Sequence, residues 1–176
     1  MEYTQEENLL IQSYMNVSFI TELTNLGFLK SDWYLNANFQ DKYVHKHFPS
    51  IGIDNQGMIL FFLYSLLVLP KELIQQKFPA EFEAVNTIVD KEKSFAQSTY
   101  NSDSNGIDYV RHIRNAVSHA RVSFNSSQEV EFEDKYNNNE CTIRIPLKDF
   151  GKVLSTLQVI YVKYIEQLQI KQKSSC

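Results

Sequence analysis

Arginine and histidine are scarce in this chain, four of each in 176 residues, yet three arginines and two histidines fall within 105–124, NGIDYVRHIRNAVSHARVSF. They are Arg111, Arg114, Arg121, His112 and His119, with Asn115 among them. Arginine carries planar donors that match two phosphate oxygens and stays charged at any working pH, while histidine takes or gives a proton near neutrality. Together the two residue types suit phosphodiester chemistry. In RNA the 2′-hydroxyl is an internal nucleophile, so a base to deprotonate it and a cation to hold the crowded phosphate suffice without a metal. The plainer alternative is a solvated Arg/His face, with a last-turn histidine serving the negative end of a helix dipole.

The element that must position these side chains is a helix over 106–119. Asn105 can cap its first turn, and Asp108 favours its positive end. At about 100° per residue, Tyr109, Val110, Ile113, Ala116, Val117 and Ala120 form an apolar arc that faces a core. The opposite arc holds Arg114, Ser118, Arg111, Asn115, Asp108, His119 and His112. Arg114 and His119 are separated by about 140° around the helix, so they do not stack as neighbours one turn apart. A shared substrate or a second subunit has to bring them together.

Arg114-Asn115-Ala-Val-Ser-His119 resembles the R-x4-6-H signature of the HEPN superfamily (higher eukaryotes and prokaryotes nucleotide-binding), in which a polar residue usually follows the arginine. The small Ala120 after the histidine, the short strands and the long C-terminal helix extend the likeness over about 55–170, in the manner of plasmid-borne bacterial HEPN-like proteins. The resemblance implies a metal-independent endoribonuclease, a toxin or defence RNase, with Arg114, Asn115 and His119 catalytic. Arg111, His112 and Arg121 would then extend substrate contact, and Asn115 would orient the partner groups or the phosphate. It also implies a homodimer that supplies the second acid from its partner, RNA as substrate, and an antitoxin as a further partner. The alternative within the same resemblance is a non-catalytic module that binds a nucleotide or a protein through its polar helix.

The rest of the chain is read as one domain, 1–176, long enough to bury about 70% of its unfolded surface. Hydrophobic content of 43%, charge of 22% and a net charge of −4 describe an ordinary globular protein with no global basic field, so any nucleic-acid site must be local. Two cysteines, Cys141 and Cys176, indicate neither a disulfide framework nor a metal cluster, and a reducing cytoplasm is the expected home. The acidic start (Glu2, Glu6, Glu7) is unlike a secretory leader. No Gly-rich phosphate loop, Walker pattern, nucleophile elbow or H-E-x-x-H is present, and no cofactor or metal is expected.

Thr4 and Glu7 make a capping box that opens a first helix over 5–26, ended by Gly27, with Leu9, Leu10, Tyr14, Val17, Ile20, Leu23 and Leu26 on its apolar side. Residues 28–57 suggest short helical pieces, one of them stopped at Phe48-Pro49. His45 and His47, two apart without acidic or thiol neighbours, do not make a metal clip. The run 58–69, MILFFLYSLLVL, is too short for a bilayer and reads as a central helix buried all round, capped by Asp54 or Asn55. Pro70 and Pro79 each open a further helix at its first position. Residues 94–105 read as a loop entering on the amino end of the key helix. Alternating residues after 121 predict two hairpins or one three-stranded antiparallel sheet, with Glu129, Glu131, Glu133 and Asp134 making its outer face acidic. Leu147, Phe150, Leu154, Leu157, Tyr161, Tyr164 and Leu168 step in heptads along a last helix over 147–170. The fold class is therefore mainly α: a HEPN-like helical bundle with a small antiparallel sheet inserted before the long C-terminal helix.

Overall fold

The computed structural model describes residues 3–70 and 74–174. The helix expected to open at Pro70 falls in part on 71–73, outside the described residues, as do Glu2 and Cys176. The protein is mainly α-helical with a small antiparallel sheet and a long C-terminal helix, as the sequence predicts. Helix α1 (Gln5–Asn25) starts at the capping box, Thr4 Oγ1 accepting from the Glu7 N–H while the Glu7 carboxylate accepts from the Thr4 N–H. It ends where Gly27 takes the left-handed backbone, φ 63°. A 3-10 turn (Phe28–Lys30), α2 (Asp32–Asn36) and α3 (Lys42–Ile51) fill the aperiodic stretch.

Pro49 does not stop α3, which runs on to Gly52. A proline inside a helix orphans the carbonyl four residues back, here that of His45, and the Tyr34 hydroxyl donates to it at 3.4 Å. His45 Nε2 in turn lies 2.8 Å from the Tyr34 carbonyl and its ring stacks on Phe39, while the His47 ring packs on Tyr43, so both histidines serve local packing.

The apolar run 58–69 forms α4 (Gln56–Leu63), capped by Asn55, and continues as a π-helical turn over Tyr64–Val68. It is not buried all round: Leu63, Leu66 and Leu67 face the core, whereas Phe61 and Tyr64 face outward. The Ser65 carbonyl in the π turn accepts from the Tyr161 hydroxyl at 2.9 Å, so the altered ladder leaves that group satisfied. Among the described residues no single helix is long and apolar enough to cross a membrane.

After α5 (Pro79–Glu92) the segment read as a loop opens with a strand, β1 (Phe95–Ser98), followed by a 3-10 turn at Asn101–Asp103. The key helix, α6 (Tyr109–Ser118), leads into β2 (Val122–Phe124), β3 (Glu129–Tyr136) and β4 (Asn139–Pro146). The sheet thus has four strands in the order β1-β4-β3-β2, all antiparallel, because Phe95–Ser98 pairs with Arg144–Cys141. The sequence gives little sign of β1, since FAQS has too few apolar residues to alternate.

Val130, Phe132, Ile143 and Ile145 project from the sheet into a core shared with α5, α6 and the last helix, α7 (Leu147–Lys173). Along α7 the heptad residues Phe150, Leu157, Tyr161, Tyr164 and Leu168 are buried, joined by Val153 and Ile160.

Leu63 and Leu66 are both 0% exposed at the centre of this core. Leu63→Ala and Leu66→Ala should each cost about 2–5 kcal/mol of stability, read as a fall in the denaturant midpoint with an unchanged slope. Midpoints equal to that of the wild type would place the α4 run outside the core.

Candidate functional site

Helix α6 begins later than the sequence suggests. Gly106 turns the chain at φ 141°, and Asp108, not Asn105, is the cap, its carboxylate accepting from the Arg111 N–H at 3.1 Å. The Val110 N–H, also unpaired within the helix, donates to Asn86 of α5 at 2.9 Å. At the other end Ala120 takes the left-handed backbone, φ 53°, while the Arg121 N–H reaches the Ala116 carbonyl at 2.8 Å and the Ala120 N–H reaches Val117 at 3.2 Å. These two bonds make a Schellman turn, which leaves His119 as the C-cap and steers the chain into β2.

The polar face of the helix is covered in part, at His112 and Arg114. His112 is 1% exposed, held between the Asn101–Asp103 turn and strand β3, and Arg114 is 8% exposed, bonded to Gln75. The His112 ring lies between two carboxylates, Nδ1 2.7 Å from Asp134 Oδ2 and Nε2 2.8 Å from Asp103 Oδ2. Arg111 Nη2 donates to the other oxygen of Asp103 at 2.6 Å, and its guanidinium stands over the Tyr100 ring. Ser98, from β1, donates to Asp103 as well. On the far side, Asp134 Oδ2 also accepts from Asn115 Nδ2 at 3.0 Å.

Burial alone would raise the Asp103 carboxyl. The hydrogen bonds from Ser98 and His112 and the charges of His112 and Arg111 together outweigh it and hold the group below the ordinary aspartate range.

Arg114 packs at the flank of α6 and donates from Nη1 to Gln75 Oε1 at 2.9 Å, with Nη2 3.5 Å from Asn115 Oδ1. His119 is exposed at the C-cap. Within one chain the two therefore occupy different sides of the helix end. Arg121 is exposed and donates to the Lys135 carbonyl at 2.6 Å. His112, expected to reach substrate, is enclosed by protein on both ring nitrogens and has no surface to offer; its part is to hold the helix to the loop and the sheet. Arg111 keeps a partly exposed edge but is committed to Asp103.

Two residues of the site, Asp103 and Asp134, belong to no motif in the sequence. The sequence suggests an acidic outer face that includes Asp134, but Asp134 shares the parity of Val130 and Phe132 and points inward with them, 4% exposed. Strand alternation could have located it. Asp103 lies in a loop, where no period identifies an inward side chain.

Asp103, His112 and Cys141 bring an oxygen, a nitrogen and a sulfur within 4.8 Å of one another, a donor set a divalent metal could use. The protein supplies a cation of its own there, since Arg111 Nη2 sits 2.6 Å from Asp103 Oδ1 and 2.9 Å from His112 Nε2. Burial, with Asp103 and Asp134 close by, pushes the Cys141 thiol up to about 12, so it is a protonated, unreactive packing residue.

A comparison with protein-family models matches residues 1–168 to the family described as HEPN pEK499 p136. No curated protein and no solved structure matches the chain.

Removing one partner of a buried ion pair strands the other, so Asp103→Asn should lower stability at neutral pH by about 3 kcal/mol. The folded Asp103 pKa lies below its ordinary value of 3.8. Its stabilisation is therefore complete above that value and is lost as pH falls through the lower folded pKa. Denaturant melts from neutrality into acid should show the gap between wild type and Asp103→Asn closing below about 3.8. A gap of constant size throughout would mean the carboxylate is not held by these partners.

Proposed function

Because the chain belongs to the HEPN pEK499 p136 family, its match running over residues 1–168, we propose that it is a metal-independent endoribonuclease acting as a homodimer. The observation that carries this reading is the arrangement on α6. Arg114 is fixed at the helix flank by Gln75 and Asn115, and His119 stands exposed at the C-cap a few residues on. A guanidinium held in place can stabilise the crowded phosphate without reorganising, and an exposed imidazole can take the 2′-hydroxyl proton. The bond from that hydroxyl oxygen to phosphorus forms as the bond to the 5′-oxygen breaks, and the leaving oxygen needs a proton. One chain provides one base and no evident second acid. A twofold-related copy provides the other, across a cleft between two α6 helices. The class this fits is a toxin or defence RNase, for which a neutralising protein partner is part of the proposal.

A second reading is favoured by one observation: Arg114 is 8% exposed and already bonded, as a structural arginine would be. In that reading the protein is a non-catalytic HEPN module whose polar helix binds a nucleotide or a protein.

The test is incubation of the purified protein with total RNA and tRNA in excess EDTA, where cleavage should persist. His119→Ala should abolish it while changing stability by no more than about 0.5 kcal/mol, as expected of an exposed site. Arg114→Ala removes a buried partner and should cost stability too, so Arg114→Lys is the better variant; a point charge in place of the planar fork should still lose most of the activity. Cleavage that survives His119→Ala, or that EDTA stops, would rule out this mechanism. If the wild type leaves all RNA intact, the binding module is the correct account.

Arg121 is the exposed arginine of the group, so Arg121→Ala should weaken RNA binding and reduce the salt slope by about one. An unchanged slope would remove Arg121 from the phosphate contacts. Light scattering at micromolar concentration should give twice the chain mass of 20.6 kDa. A monomer would remove the composite site.

A further inference from the structure

The resemblance gives Asn115 the task of orienting the partner groups or the phosphate, and its surroundings restrict how it can do so. Its Nδ2 lies 3.0 Å from Asp134 Oδ2, and its Oδ1 lies 3.5 Å from Arg114 Nη2. Turning the amide over would set carbonyl oxygen against carboxylate and NH2 against guanidinium, two repulsions in place of two attractions. The same Asp134 oxygen is fixed from the other side by His112 Nδ1 at 2.7 Å, and Asp134 is 4% exposed, so the carboxylate cannot turn away.

We propose that Asp134 is a positioning residue for the ribonuclease site: by holding the Asn115 amide through its NH2, it leaves only the carbonyl facing Arg114, and so orients the arginine. One of the two Nδ2–H donors of Asn115 is thereby committed to Asp134, and its carbonyl, which phosphate oxygens cannot donate to, is turned towards Arg114. Asn115 acts on the phosphate through Arg114. Strand β3 thereby joins the site without touching substrate, along the path Asp134, Asn115, Arg114. The effect on cleavage rests on the ribonuclease reading; the locked amide does not.

Two measurements separate these. In the first, the side-chain amide of Asn115 is followed by 1H–15N NMR in the intact protein. Its two protons should be resolved and slow to exchange, and should become free in Asp134→Ala. A freely exchanging Asn115 amide in the wild type would overturn the proposal whether or not RNA is cut, and it remains readable if Asp134→Ala fails to fold.

In the second, on the active protein, Asp134→Ala should lower kcat on the order of tenfold or more with little change in KM. Asp134→Asn, whose carbonyl can still accept from both neighbours, should recover most of the loss. In an Asn115→Ala background, Asp134→Ala should cost much less than in the wild type, since the route through the amide is cut and only the bond to His112 remains. Losses that multiply in the double variant would show that Asp134 acts on stability or by another path, and wild-type kinetics in Asp134→Ala would likewise end the proposal. Absence of cleavage by the wild type would instead count against the ribonuclease reading and leave the NMR result to decide.

Discussion

The placement of His112 between two carboxylates is the constraint on which the candidate site depends. A charged or strongly polar group taken out of water is tolerated only when each of its atoms finds a partner, and losing one partner exposes the full desolvation cost of the other. Here the partners come from three different elements: the 3-10 turn gives Asp103, strand β3 gives Asp134, and α6 gives His112 and Arg111. The loop cannot lift, nor the sheet slide, without stranding a charge. Positional accuracy on α6 follows from this, because a ten-residue helix has little stability of its own. Apolar packing of Ile113 and Ala116 holds the helix down, and the ion network sets its rotation.

Much of this was legible in the sequence, for identifiable reasons. The capping box of α1 and the heptads of α7 are local signals, written in neighbouring residues, and both elements form where they indicate. The change of period after Arg121 likewise locates β3 and β4. What the sequence hides is tertiary. β1 exists because β4 offers it a partner edge, not because FAQS favours a strand. Pro49 sits inside α3 because a tyrosine distant in sequence takes up the carbonyl it orphans. The arc bearing His112 and Arg114 is polar by composition, and polarity alone does not tell a solvated face from one covered by other polar groups. Asp134, by contrast, is legible from strand parity with Val130 and Phe132. Arg114, Asn115 and His119 stand out in the sequence by their resemblance to the R-x4-6-H signature; the acidic residues behind them do not, because they belong to no motif and act through contacts of long range.

The separation of these contacts along the chain bears on how the protein is made. Asp134 lies 22 residues beyond His112, and β4, which braces β3, ends only at Pro146. During synthesis the motif residues emerge while the strand that fixes them is still unmade, and a short helix alone does not hold a shape. The arginine and histidine of a nascent chain are therefore present as residues but not as a site. Assembly waits for the hairpin, so a chain that cuts RNA would do so only after most of it had left the ribosome that was reading RNA to build it.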